Sequence, residues 1–332
     1  MNAATTSPAQ YFSTRITMEN GSMPAESAVA KPASPSRLKQ LRDKLLLQED
    51  LNFLVTNRLP RVFLTRLMGR FSKIRHPLVA RCSIATWRLF TDLDLGEAKQ
   101  TRFASLHDCF TRELRPGARP INPDPYVMVS PCDGIIGACG AVEGTRIFQA
   151  KGFPYLLADL FGSEAAAEPF RDGCYVTLRL TSTMYHRFHA PADALIEHVT
   201  YISGDTWNVN PIALKRVERL FCRNERAVVR LRRDDGRPFA LVAVAAILVA
   251  AIRLHFLNVL LHLRWPGPNE IPCSARVTRG QELGWFEHGS TIIMFAPKGF
   301  ALCPTLQTGD RINMGQPLMR VPKGSLEEVR KP

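Results

Sequence analysis

The sequence predicts an α+β protein in three parts: a disordered tail at residues 1–36, helices over 37–110, and a β-rich domain over 111–332. Two observations carry this. Leucines and phenylalanines recur at helical spacing before residue 80, and short β-branched runs punctuated by Gly, Pro, Asp and Asn follow residue 120. A third is length: 332 residues bury a sizeable core and leave room for an appendage.

Residues 1–36 are rich in Ala, Ser, Thr and Pro and poor in large apolar side chains, so they cannot offset the entropy of ordering. They lack the charged start and apolar core of a secretory signal. From Ser36, Leu38, Leu41, Leu45 and Leu46 keep helical spacing until Pro60. A second stripe, Phe63, Leu67, Phe71, Ile74 and Leu78, follows, with Pro77 breaking the helix before its last member. Arg66, Arg70 and Lys73 run along one edge of it, and between Arg58 and Arg88 there are eight Lys or Arg and no Asp or Glu. Such a helix suits an anionic membrane surface, apolar face in the acyl boundary and cationic stems at the head groups. An ordinary helix with a solvated Arg rim fits the stripe equally well.

The whole chain is basic, 43 Lys and Arg against 30 Asp and Glu, which favours anionic partners. No aromatic stacking platform or groove-reading motif accompanies the charge, which argues against nucleic acid. The eight cysteines show no C-x-x-C spacing, so neither a zinc ribbon nor a redox motif is expected, and reduced thiols are. The connector "TRELRPGARPINPDP" leads into the β-rich part, where "CDG" and "DDG" mark turns. "FALVAVAAILVAAI", Phe239 to Ile252, is apolar for 14 residues. A membrane-spanning helix needs about 20, so a buried strand after the "DDGRP" turn is the better reading.

Three places combine polar residues with tight surroundings: "SPCDGII" with Asp133, "TMYHRFHAPAD" with His186 and His189, and "EHGSTII" with Ser290. Asp, His and Ser could form an orienter–base–nucleophile set. Each has a plainer reading. Asp-Gly and Gly-Ser are common turn pairs, and a His-x-x-His without a third ligand is a weak metal signal, so no metal is expected.

Taken together with "LPRVFLTRLMGR", "QAKGFPYLLADLFG", "FCRNERAVV", "RGQELGWFEHGSTIIMFAPKG" and "MGQPL", these segments resemble the phosphatidylserine decarboxylase family, bacterial membrane-associated type, from about Leu59 to Gly315. The resemblance implies a zymogen cut autocatalytically between Gly289 and Ser290, with Ser290 converted to a pyruvoyl cofactor. It implies His189 as the base, Asp133 as its orienter and His186, positioned by Tyr185, as the acid for decarboxylation. The expected activity is conversion of phosphatidylserine to phosphatidylethanolamine and carbon dioxide by residues 111–332. The product would be a heterodimer of the two cleavage fragments, with pairing of such heterodimers an open alternative. The front end, through Phe63, Arg66, Leu67, Arg70, Phe71, Lys73 and Ile74, would dock peripherally on the cytoplasmic face of the cell membrane. Two departures stand out: His288 before the cleavage pair, and Ala245 and Ala250 where the family pattern suggests glycine. The rival reading is a serine hydrolase acting on a lipid with an intact Asp133–His189–Ser290 triad, although no G-x-S-x-G elbow is present.

Overall fold

In the computed structural model, residues 61–148, 154–247, 251–263, 265–287 and 290–322 are described. The expected tail and first helix, and the residues His288, Gly289 and Ala250, lie outside them.

Helix α1 (Arg61–Ser72) is followed by α2 (Pro77–Phe90). Pro77 therefore opens the second helix, at the position where its missing N–H costs nothing, and the stripe expected to run on through Ile74 ends at Ser72. A short α3 (Leu106–Phe110) begins at Ser105, whose hydroxyl accepts the Asp108 N–H.

The rest is built mainly of antiparallel strands: β1 (Val127–Val129), β2 (Gly134–Ala141), β3 (Arg146–Phe148), β4 (Pro154–Leu156), β5 (Cys174–Leu180), β6 (Arg187–His189), β7 (Ala194–Ile202), β8 (Arg226–Arg233), β9 (Pro238–Ala245), β10 (Ala251–Leu254), β11 (Val259–His262), β12 (Glu270–Val277), β13 (Glu282–Phe286), β14 (Ser290–Ala296), β15 (Ala301–Leu302), β16 (Arg311–Ile312) and β17 (Pro317–Arg320). Among the described residues the protein is β-rich with few helices, an α+β architecture.

The main sheet has the order β12-β7-β8-β9-β14-β5-β2-β16. A second sheet, β11-β10-β13-β6, and a third, β1-β17-β15, lie beside it. On the main sheet, side chains alternate between two cores. Ile292 and Met294 of β14 join a core with Phe188, Ile252, Leu254 and Phe286 of the second sheet. Ile293 and Phe295 join another, with Leu157, Leu160 and Phe161 from the helix Leu157–Phe161. β14 is buried along its whole length and is hydrogen-bonded on both sides, to β5 and β9.

The apolar run 239–252 holds strand at both ends, as its length predicts, but in two sheets: β9 ends at Ala245 in the main sheet and β10 starts at Ala251 in the second. The "DDGRP" turn joins β8 to β9 as expected, with the Arg233 N–H bonded to the Arg237 carbonyl. All eight cysteines are free thiols. Among the described residues no helix is long and apolar enough to cross a membrane, and no group of His, Cys, Asp and Glu is arranged to hold a metal ion.

Candidate active site

Ser290 is the first residue of β14 and is fully buried. Its cross-strand partners are Leu180 on β5 and Ala245 on β9. Both belong to the core between the sheets, and the two-residue period puts the Ser290 side chain on that same face. Its hydroxyl finds no hydrogen-bond partner among the described residues. Such a group costs about 1–3 kcal/mol of desolvation, so a serine here is poorly explained by stability. The hydroxyl of Thr291, on the other face, also finds none among the described residues. β13 of the second sheet ends at Phe286, and β14 of the main sheet begins at Ser290.

β13 pairs with β6, which sets His189 opposite Glu282 and Arg187 opposite Trp285. On its other side β13 pairs with β10, and that pairing needs Gly284: a Cβ there would sit 1.8 Å from the Arg253 carbonyl oxygen. The Phe286 N–H bonds the His186 carbonyl. On the other side of β6, the His189 N–H donates to the Pro131 carbonyl at 2.7 Å, which seats the "SPCDG" loop beside it.

The His189 ring is held at both nitrogens. Nδ1 lies 3.0 Å from the Gly280 carbonyl oxygen, and Nε2 lies 3.0 Å from the Tyr185 hydroxyl. A carbonyl only accepts, so Nδ1 carries the proton and Nε2 keeps its lone pair. Gly280 has φ +80°, the left-handed conformation that turns its carbonyl to this use. Burial lowers the His189 pKa, opposed by the Gly280 hydrogen bond and by the charges of Glu282 and Asp133. The ring is therefore neutral near pH 7.

Asp133 is nearly buried. Its carboxylate accepts a two-pronged bond from Arg119, 2.8 Å from Nε and 2.6 Å from Nη2, and a third bond from the Met314 N–H at 2.9 Å. Asp133 is expected to orient His189. Among the described residues the ring's hydrogen bonds go instead to Gly280 and Tyr185, and Asp133 acts on it through its charge. Asp133, Tyr185, Arg119 and Arg112 line a polar cavity of 480 Å³.

His186 is also fully buried. Its Nδ1 is 2.9 Å from the Met184 carbonyl oxygen, and its ring lies 4.0 Å from that of Phe110. Tyr185 bonds His189 rather than this neighbour. Phe110 is shared with an apolar cavity of 710 Å³ between α1, α2 and α3, lined among others by Phe71, Val79, Trp87 and Leu106. Leu67, Phe71 and Ile74 are exposed, as are Leu78, Leu89 and Phe90 farther on. Arg66 and Arg70 are exposed on α1, while the Lys73 ammonium is bonded to Glu287, 2.8 Å away. Phe63 lies within α1, and its side chain is outside the description.

The profile of the family described as phosphatidylserine decarboxylase matches residues 106–320. The chain belongs to that family. Among similar proteins, one from Erwinia tasmaniensis is 35% identical over 82% of this chain and 95% of its own length. One from Anaeromyxobacter sp. (strain K) is 37% identical over 78% of this chain and 94% of its own. One from Chromobacterium violaceum is 34% identical over 81% and 99%. Each of the three is named a phosphatidylserine decarboxylase proenzyme.

Within this member of the phosphatidylserine decarboxylase family, sequence reasoning missed several residues that build the site. Arg119 sits in the Pro-rich connector, and only its contact with Asp133, 14 residues on, shows its use. Gly280 is 91 residues from His189, in a turn that reads as any other. Arg112 is buried with Nη2 on the Thr183 carbonyl, while its Nε has no partner among the described residues. The one available signal was an arginine doublet, Arg112 and Arg115, in an otherwise loop-like segment.

Proposed function

We propose that this chain is a self-cleaving phosphatidylserine decarboxylase, yielding phosphatidylethanolamine and carbon dioxide. The observation that carries the proposal is Ser290: a buried hydroxyl with no partner among the described residues, heading a central strand in a family whose relatives are named proenzymes. The serine hydrolase reading, which needs an intact chain, finds no support in those names.

In maturation the Ser290 Oγ attacks the Gly289 carbonyl carbon. His189 Nε2 takes the hydroxyl proton and returns it to the departing nitrogen, so the amide becomes an ester. Loss of the Ser290 α-proton then breaks the Cβ–O bond. Gly289 leaves as a new carboxylate, and the dehydroalanine at 290 takes up water and releases ammonia. Asp133, pinned by Arg119 and Met314, adds its negative charge near the imidazole while His189 carries the proton. The surroundings of position 290 fit a pyruvoyl group, since Leu180 and Ala245 flank it without a competing polar side chain. That group would supply the carbonyl that accepts the electron pair released with carbon dioxide.

For turnover, His186 is assigned the proton delivered to the carbon that lost its carboxylate. Its ring is fixed by Met184 and Phe110. The apolar cavity beyond Phe110 is suited to a lipid tail, and the exposed apolar residues of α1 and α2 to peripheral docking on the cytoplasmic face of the cell membrane. The functional division falls at 110/111, docking before it and chemistry after it. The mature unit is the heterodimer of its own two fragments.

Intact-mass analysis tests this directly. Two fragments meeting at 289/290 are expected, the smaller one refusing Edman degradation, together with carbon dioxide release from phosphatidylserine. An active, uncut wild-type chain would refute the mechanism.

Two further outcomes are expected. Because burial lowers the His189 pKa, its neutral form persists below the ordinary imidazole value of about 6.5. The cleavage rate should fall as pH is lowered, with its midpoint below pH 6.5. A midpoint above 7 in a pulse–chase at graded pH would remove His189 as the base. Leu67→Ser with Phe71→Ser changes exposed side chains, so stability should move by less than about 0.5 kcal/mol each. Co-sedimentation with anionic vesicles should weaken about tenfold or more, from the apolar area lost. Unchanged sedimentation would place docking elsewhere.

A further inference from the structure

Glu287 lies two residues before Gly289, where the chain leaves the second sheet. Its side chain is 6% exposed, unusual for a carboxylate. Lys73, just beyond the end of α1, reaches both of its oxygens, at 2.8 and 3.2 Å. His107 Nε2 lies 3.8 Å from the same carboxylate. The Glu287 backbone N–H is bonded to the Ala251 carbonyl, so the residue is fixed at both main chain and side chain. Arg66, Gly69, Arg70 and Lys73 form one wall of a cleft whose other wall holds Ala251, Leu260 and Glu287. The same helix carries exposed Leu67, with exposed Phe71 beside it.

The geometry points to the Lys73–Glu287 pair as a positioning link that holds the self-cleaving segment in register from the docking helix. This rests on the maturation proposed above. Glu287 is proposed to act through the backbone, as a positioning residue. Its anchoring restricts the backbone two residues upstream of the bond that breaks, and small displacements of reacting groups are costly. A buried carboxylate deprived of its lysine loses its main charge partner, which loosens the hold on the backbone at Glu287. The charges that steer α1 to an anionic surface and the charge that sets the cleavage segment thus stand on one short stretch.

The test is a double-mutant cycle on full-length chain made by cell-free translation, with the appearance of the two fragments timed on gels. Lys73→Met and Glu287→Gln are each expected to slow cleavage about tenfold, and the double variant no more than either alone, the signature of one shared interaction. Lys73→Arg, which keeps the charge, should cleave within about threefold of wild type. Folding is read separately by thermal melting of the same substitutions on the uncleavable Ser290→Ala background. Wild-type rates in both single variants would overturn the link. So would slowing that merely follows the folded fraction, or additive losses in the double variant. Failure of the wild-type chain to cleave at all would instead sink the maturation reading itself.

Discussion

Ser290→Ala is expected to leave the chain in one piece and to remove decarboxylation entirely. The substitution deletes the atom proposed to attack the Gly289 carbonyl and, with it, the proposed source of the pyruvoyl group. Enzymes of this kind of difficulty accelerate their reactions by about 10⁶-fold or more, so turnover should fall to the uncatalysed background rather than to a low residual rate. The fold should not suffer. Ser290 is fully buried between Leu180 and Ala245, and its hydroxyl has no partner among the described residues. Replacing it by a methyl group removes an unsatisfied polar atom and should be neutral or stabilising by about 1 kcal/mol. Loss of activity together with an unchanged or raised melting temperature, in an uncut chain seen by mass spectrometry, is therefore the expected pattern. Residual decarboxylation well above background in Ser290→Ala would require a carbonyl cofactor from elsewhere.

The second large effect separates the two histidines. His186→Ala should still be cut, because His189 retains its contacts with Gly280 and Tyr185, but turnover should drop by about 10²–10⁴, the range of a lost general acid or base. His189→Ala should fail earlier and accumulate the uncut chain. Fragment analysis and carbon dioxide release on the same preparations give both readouts. If His186→Ala also stayed uncut, its role would belong to maturation. The variant opens space against Phe110, 4.0 Å from the lost ring, so His186→Asn is a useful companion. It keeps a polar group near the Met184 carbonyl and should reproduce the turnover defect without the packing loss.

The strands were legible because their signals are local. The "DDGRP" turn and the β-branched runs around it name β8 and β9. The apolar run 239–252 was legible as strand but not as two strands in two sheets, since an all-apolar run does not show where its neighbours change. The three polar segments were legible as a set; the structure seats the Asp133 loop beside His189 through Pro131, while Ser290 heads β14, which pairs with β5 and β9. What could not be read is which group each side chain would choose. Arg119 for Asp133, Gly280 for His189 and Lys73 for Glu287 are separated in sequence by 14, 91 and 214 positions. No period or spacing encodes such choices. They are settled by tertiary packing, which leaves few donors within reach of a buried acceptor.

The place of Ser290 at the head of β14 has one more consequence. The bond proposed to break lies just before a strand that is locked by ladders to β5 and β9 on its two sides, while β16 and β17 pair with β2 and β1. The small fragment would contribute an interior plank of the main sheet rather than a docked subunit. Dilution should then leave the two fragments together at any concentration, and the sheet should melt as one cooperative unit. The piece beginning at 290 should be recovered alone only after complete denaturation, and the order of events is fixed: the chain folds first and is cut afterwards.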